Sequence, residues 1–166
     1  MRYLLPILCI ILYIFVPQEY VTLAGVSNGQ LINCIGYHYF HASWAHVLVN
    51  ALAFYLIYTP VRTIWQKRLA DDWFFINMYI CATLAGISAA QDTPTVGLSG
   101  IIFAILGALI LLNPTKKQLQ NYVYIAIAVV LQCFFGRSNV LLHLYAFAFG
   151  ALAVVLHVAV DRLRIK

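Results

Sequence analysis

The chain has 166 residues, 64% of them hydrophobic and 9% charged, with a formal net charge of +5. Soluble domains carry about 25% charged residues, so the composition excludes a soluble globular fold and leaves a single-domain integral membrane protein over 1–166. The ten basic residues punctuate apolar runs instead of gathering on one face, which marks membrane topology and not nucleic-acid binding.

Crossing the hydrocarbon layer takes about 17 to 25 apolar residues, and lipid offers the backbone no hydrogen-bond partner, so each crossing is helical. The sequence predicts an all-α bundle of six transmembrane helices. They cover about 3–23, 40–59, 73–90, 96–112, 121–136 and 140–160. Arg2, Tyr3–Val16 and Thr22-Leu23-Ala24 also fit a signal peptide, an alternative for the first span. The longest connection, about 24–39, is apolar and aromatic (Tyr37, Tyr39, Phe40), which suits the membrane interface. Cys9, Cys34, Cys81 and Cys133 are widely spaced and read as small packing residues.

Nine basic residues fall on one side of these spans: Arg2, Arg62, Lys67, Arg68, Lys116, Lys117, Arg162, Arg164 and Lys166. Arg137 stands alone on the other. The positive-inside rule then puts both termini in the cytoplasm, and spans two, four and six run from outside to inside. Small size suggests a bacterial plasma membrane. His41, His46 and Asn50 open span two, Ser99 opens span four and His143 opens span six, so all are expected near the outer face. Polar groups at such depth line an interior or a wet cavity. The expectation is an outward-opening cavity between spans two, four and six.

A serine hydroxyl needs a base to become a nucleophile, and imidazole is the usual one. The tetrahedral intermediate needs donors for its oxyanion. Asn50 carries an amide, and His46, four residues earlier, shares its helix face. Backbone N–H groups at the helix start beside Ser99 add further donors. The five acids (Glu19, Asp71, Asp72, Asp92 and Asp161) all fall at span ends or in loops, so the expected unit is a Ser–His dyad. Gly97, Gly100, Ala104 and Gly107 form a small-residue stripe, matched on span six by Ala146 and Gly150. Such stripes let membrane helices approach closely. Phe103, one turn beyond Ser99, is placed to pack on the His143 ring.

His41-x4-His46-x3-Asn50, Gly97-Leu98-Ser99-Gly100 and His143 with its small-residue stripe resemble the rhomboid intramembrane serine proteases. The likeness runs over all six spans in order and spacing. It implies Ser99 as nucleophile, His143 as general base, and an oxyanion and substrate-binding set of His46, Asn50, Gly97 and the Ser99 N–H. It also implies transmembrane protein substrates cut near the outer face within the lipid bilayer, with no cofactor. The chain departs from the family pattern at several points. No Trp-Arg pair stands in the first loop, Ala146 replaces a usual Gly, Phe103 a frequent Tyr, and no Glu stands near Tyr58–Gln66.

Blander readings exist for each residue. Ser99 also suits a packing serine, and His46 with Asn50 suits an interhelical bridge. His41 suits a loop anchor, and His157 a structural role at the inner end. His38 and His41, at i and i+3, lack the carboxylate or thiolate companions of a metal site. At the level of the whole chain, the alternative to a protease is a catalytically inactive rhomboid-like protein that binds or sorts membrane helices. A small transporter fits less well, since neither internal repeats nor broken spans are visible.

Overall fold

The computed structural model describes residues 1–27, 30–90, 92, 94–112, 114–134 and 139–164. Arg137 and Lys166, used above to set orientation, lie outside them. Among the described residues, seven helices follow in order: α1 (Leu4–Phe15), α2 (Gln18–Ala24), α3 (Trp44–Leu69), α4 (Phe74–Ser88), α5 (Ser99–Leu111), α6 (Lys116–Phe134) and α7 (Val140–Arg164). Two short 3₁₀ turns, Leu31–Ile35 and Tyr37–Tyr39, shape the connection between α2 and α3. Among the described residues the β structure amounts to an isolated antiparallel bridge, Val26 with Thr95.

Helices α3 and α7 are long and apolar enough to cross a membrane, while α1, α4 and α5 are shorter apolar helices. The expected continuous first span is broken. Pro17 has no N–H to donate and forces Val16 into an extended conformation (φ −92, ψ 120), so α1 ends after 12 residues. At 1.5 Å per residue that is about 18 Å, short of a hydrocarbon core about 30 Å thick. The second expected span instead runs ten residues further, through Pro60 to Leu69. Next to the proline, the Thr63 hydroxyl donates to the Thr59 carbonyl at 2.9 Å. The helix ends at Ala70, left-handed at φ 49, with Lys67 and Arg68 against the negative end of its dipole. Helix α6 starts earlier than expected because Thr115 and Gln118 cap it reciprocally.

Helix α5 is the centre of the bundle. Ten of its residues are buried, from Ser99 to Leu109. It packs parallel to α7 through backbone contact. A Cβ on Gly107 would overlap the Phe147 carbonyl, and one on Gly150 the Ala104 carbonyl. The small-residue stripes expected from the sequence are therefore the seam itself. Helix α4 runs antiparallel along α7. Asn139 binds the Ala89 carbonyl at one end (2.6 Å), and Asp71 pairs with His157 at the other (2.6 Å). Outward faces carry exposed Leu48, Leu52, Ile76, Ile80, Leu152 and Leu156. Apolar rows of that extent are the surface of a lipid-facing bundle.

Candidate active site

The first loop fixes the start of α5. Gly97 sits at φ +125, where L side chains are strained, and turns the chain into the helix. Its N–H donates to the Tyr37 carbonyl (2.9 Å), and the Leu98 N–H donates to His41 Nε2 (3.2 Å). Tyr37 is fully buried and its hydroxyl donates to the Ala82 carbonyl of α4 at 3.0 Å. The same hydroxyl lies against Gly100, where a Cβ would come within 2.5 Å of it. Sequence reasoning did not single out Tyr37. An aromatic residue in an interfacial loop carries no distinguishing signal, and only the pairing across the fold reveals it.

Helix α5 then opens at Ser99. The first N–H groups of a helix have no carbonyl behind them, so Ser99 stands at the positive end of the dipole. Helix α7 opens alongside, capped by Asn139, whose side-chain oxygen accepts from the Leu142 N–H at 3.0 Å. One turn in, His143 Nε2 meets Ser99 Oγ at 2.8 Å. Phe103 stacks on the His143 ring, 4.5 Å between centroids and 23° between planes. The aromatic expected to orient the imidazole does lie on it.

Helix α3 supplies the third wall. Ser43 caps it by accepting from the His46 N–H at 3.1 Å. A Cβ built on Gly97 would stand 2.7 Å from His46 Nε2 and 3.4 Å from Asn50 Nδ2, so both side chains lie against the turn that delivers Ser99. Asn50 is fully buried, and neither its Nδ2 nor its Oδ1 has a hydrogen-bond partner among the described residues. An unpaired buried amide is expensive and rare outside functional sites. The Gly97 N–H, by contrast, is committed to Tyr37 and is not a free donor. Gly97 therefore contributes space and not a hydrogen bond.

The structure thus brings Ser99, His143, Phe103, His46, Asn50, Gly97 and His41 to one end of the bundle. His41 reaches the cluster as an anchor of the Leu98 amide, with its ring edge-on to His46 at 4.9 Å. His38 turns away, its Nε2 facing Thr83 Oγ1 at 3.4 Å, so the two histidines weighed as a metal pair serve different partners. Burial pushes the His38 imidazole down to about 3, which keeps it neutral. An open cavity is expected here, but among the described residues Ser99 and His143 are only 6% and 7% exposed. The first loop is tied to the start of α5 through Tyr37 and His41, and to the connection before α5 through the Val26–Thr95 bridge. A groove of about 960 Å³ exists elsewhere, between α4 and α7, and includes neither residue. His157 lies on that groove, far from Ser99.

A serine hydroxyl bonded to an imidazole, beside the unpaired Asn50 amide, lies where α3, α5 and α7 begin. The model of the rhomboid domain matches residues 28–160, so the chain belongs to the rhomboid family, whose members are integral membrane proteins and generally intramembrane serine proteases. A rhomboid-named protein of Acanthamoeba polyphaga mimivirus is 24% identical over 162 residues, spanning 94% of this chain and 91% of that one.

Proposed function

We propose that this rhomboid is an active intramembrane serine endopeptidase that cleaves transmembrane proteins near the outer membrane face with a Ser99–His143 dyad. The observation that carries the reading is the 2.8 Å contact between Ser99 Oγ and His143 Nε2. Nε2 accepts the hydroxyl proton as Oγ attacks the scissile carbonyl. Charge then develops on the carbonyl oxygen beside the Ser99 N–H, the Asn50 amide and the His46 ring, donors that need no reorganisation. His143 returns the proton to the leaving amine, and the acyl-enzyme is hydrolysed with the same imidazole activating water. The six-crossing reading counts α1 with α2 as the first crossing and α3 to α7 as the others, with both termini cytoplasmic.

The near-complete burial of the pair favours a second reading, an inactive rhomboid-like protein that binds or sorts membrane helices. A serine-reactive fluorophosphonate separates the two. The protein in detergent or bilayer should be labelled and should cleave a model membrane substrate. Ser99→Ala and His143→Ala should express normally and do neither. Undiminished cleavage by purified Ser99→Ala protein would remove the assignment, and an unlabelled, inactive wild type would leave the helix-binding reading.

A further inference from the structure

The groove between α4 and α7 lies at the end of both helices away from Ser99. Ile76, Ile80 and Leu84 of α4 face Leu152, Leu156 and Val160 of α7 across it, and all six are 45–56% exposed. Its volume of about 960 Å³ is within the range of small-molecule sites, roughly 300 to 1,000 Å³. Its length decides what fits. From Phe149 to Asp161 along α7 is about 18 Å, and from Trp73 to Leu84 along α4 about 16 Å, at 1.5 Å per residue. One leaflet of the hydrocarbon core is about 15 Å deep and the whole core about 30 Å. The groove matches the acyl region of a single leaflet and is half as long as a spanning partner helix requires.

The mouth adds a chemical preference. Asp71 and Asp161 line it, Asp72 adjoins Asp71, and these are three of the five acids in the whole chain. They stand where the flanking segments are otherwise basic, with Lys67, Arg68 and Arg162 close in sequence. Asp71 is engaged by His157, whose other ring nitrogen meets the Ala153 carbonyl at 3.2 Å, while Asp161 makes no ion pair among the described residues. Trp73, 63% exposed, sits at the same level, as indole rings do at the headgroup layer. Within the groove lining the acids are Asp71 and Asp161, so a cationic amine finds a partner there that an anionic headgroup lacks.

We infer that the α4–α7 groove is a binding site for a phospholipid with an amine headgroup, its acyl chains along the groove and its ammonium at Asp161. The leaflet is the one opposite Ser99, which rests on the proposed orientation. The binding itself is independent of catalysis.

The full-length protein is purified in detergent and offered phosphatidylethanolamine and phosphatidylglycerol with identical chains, and retained lipid is read by native mass spectrometry. Phosphatidylethanolamine should be retained about tenfold over phosphatidylglycerol, the ratio one charge-assisted hydrogen bond supplies. Asp161→Asn should bring the ratio near one while the melting temperature in lipid-free detergent stays unchanged. Glu19→Gln, on α2 outside the groove, should keep it. Equal retention of both lipids by the wild type, or a ratio that survives Asp161→Asn, would overturn the inference. Ser99→Ala protein should bind lipid as the wild type does, so a failed protease assignment leaves this result standing.

Discussion

Asn50 is the residue whose chemistry is least satisfied at rest. Both polar atoms of its amide are buried without a partner among the described residues, which a structural asparagine would not tolerate. On the proposed reading, Nδ2 gains an acceptor when a substrate carbonyl becomes an oxyanion. Asn50→Leu, which keeps bulk and removes the donor, should therefore lower kcat about 100- to 1,000-fold, the usual loss for one oxyanion donor. KM should move little. The melting temperature should hold or rise, because no hydrogen bond is lost and a desolvated amide is removed. A large fall in melting temperature with kcat intact would make Asn50 a bridge between helices. Ser99, His143 and His46 were legible in the sequence because few polar side chains occur in such apolar runs and these fall at matching helix starts, and Phe103 was legible from its spacing one turn beyond Ser99. The committed Gly97 N–H was not legible, since hydrogen bonding to Tyr37 depends on how a loop 60 residues earlier folds back.

At the scale of elements, the α5–α7 seam holds the pair together. Gly150 and Gly107 let each backbone touch the carbonyls of the other helix. A methyl group at either place must push the helices apart, and overpacking of this kind typically costs about 1–3 kcal/mol. Gly150→Ala should lower the melting temperature and, by lengthening the Ser99–His143 contact two turns away, reduce fluorophosphonate labelling more than the stability loss explains. Gly36→Ala is the comparison, because a Cβ there meets nothing within 4 Å. Equal labelling of folded Gly150→Ala and wild type would show that the seam does not set the dyad distance. Helix identity was readable from apolar length and from the glycine stripe. Boundaries were less so. Pro17, followed by Gln18 and Glu19, ended a helix inside the expected first span, whereas Pro60 was absorbed inside α3. The same residue type acts oppositely because α3 is packed on both sides of its proline, with Ile57, Tyr58 and Val61 buried.

For the molecule as a whole, orientation and access are coupled. The proposed orientation, with the Ser99 end outside, rests on the nine-to-one distribution of basic residues. A reporter fused to the C-terminus should therefore read cytoplasmic, and a cysteine placed in the 91–95 loop should react with an impermeant reagent from outside. The reverse pattern would invert the proposed site.

A substrate meets two barriers at that outer end. The first loop is drawn over α5, and Ser99 is only 6% exposed. A substrate helix also hides its own peptide bonds in i to i−4 hydrogen bonds. In the proposed reaction Ser99 reaches a carbonyl only after the substrate unwinds locally into an extended segment. Unwinding is easiest at Gly and Pro, which favour helix least, and easier at Ser than at Leu, which is among the strongest helix formers. Replacing such residues near the outer end of a model substrate with Leu should slow cleavage sharply while leaving insertion into the membrane intact. Serine chemistry needs no ion, so a strong chelator should change neither rate. If an unbroken poly-Leu span is cut as fast as one carrying Gly or Pro, unwinding is not limiting, and the slow step is movement of the loop held by Tyr37 and His41.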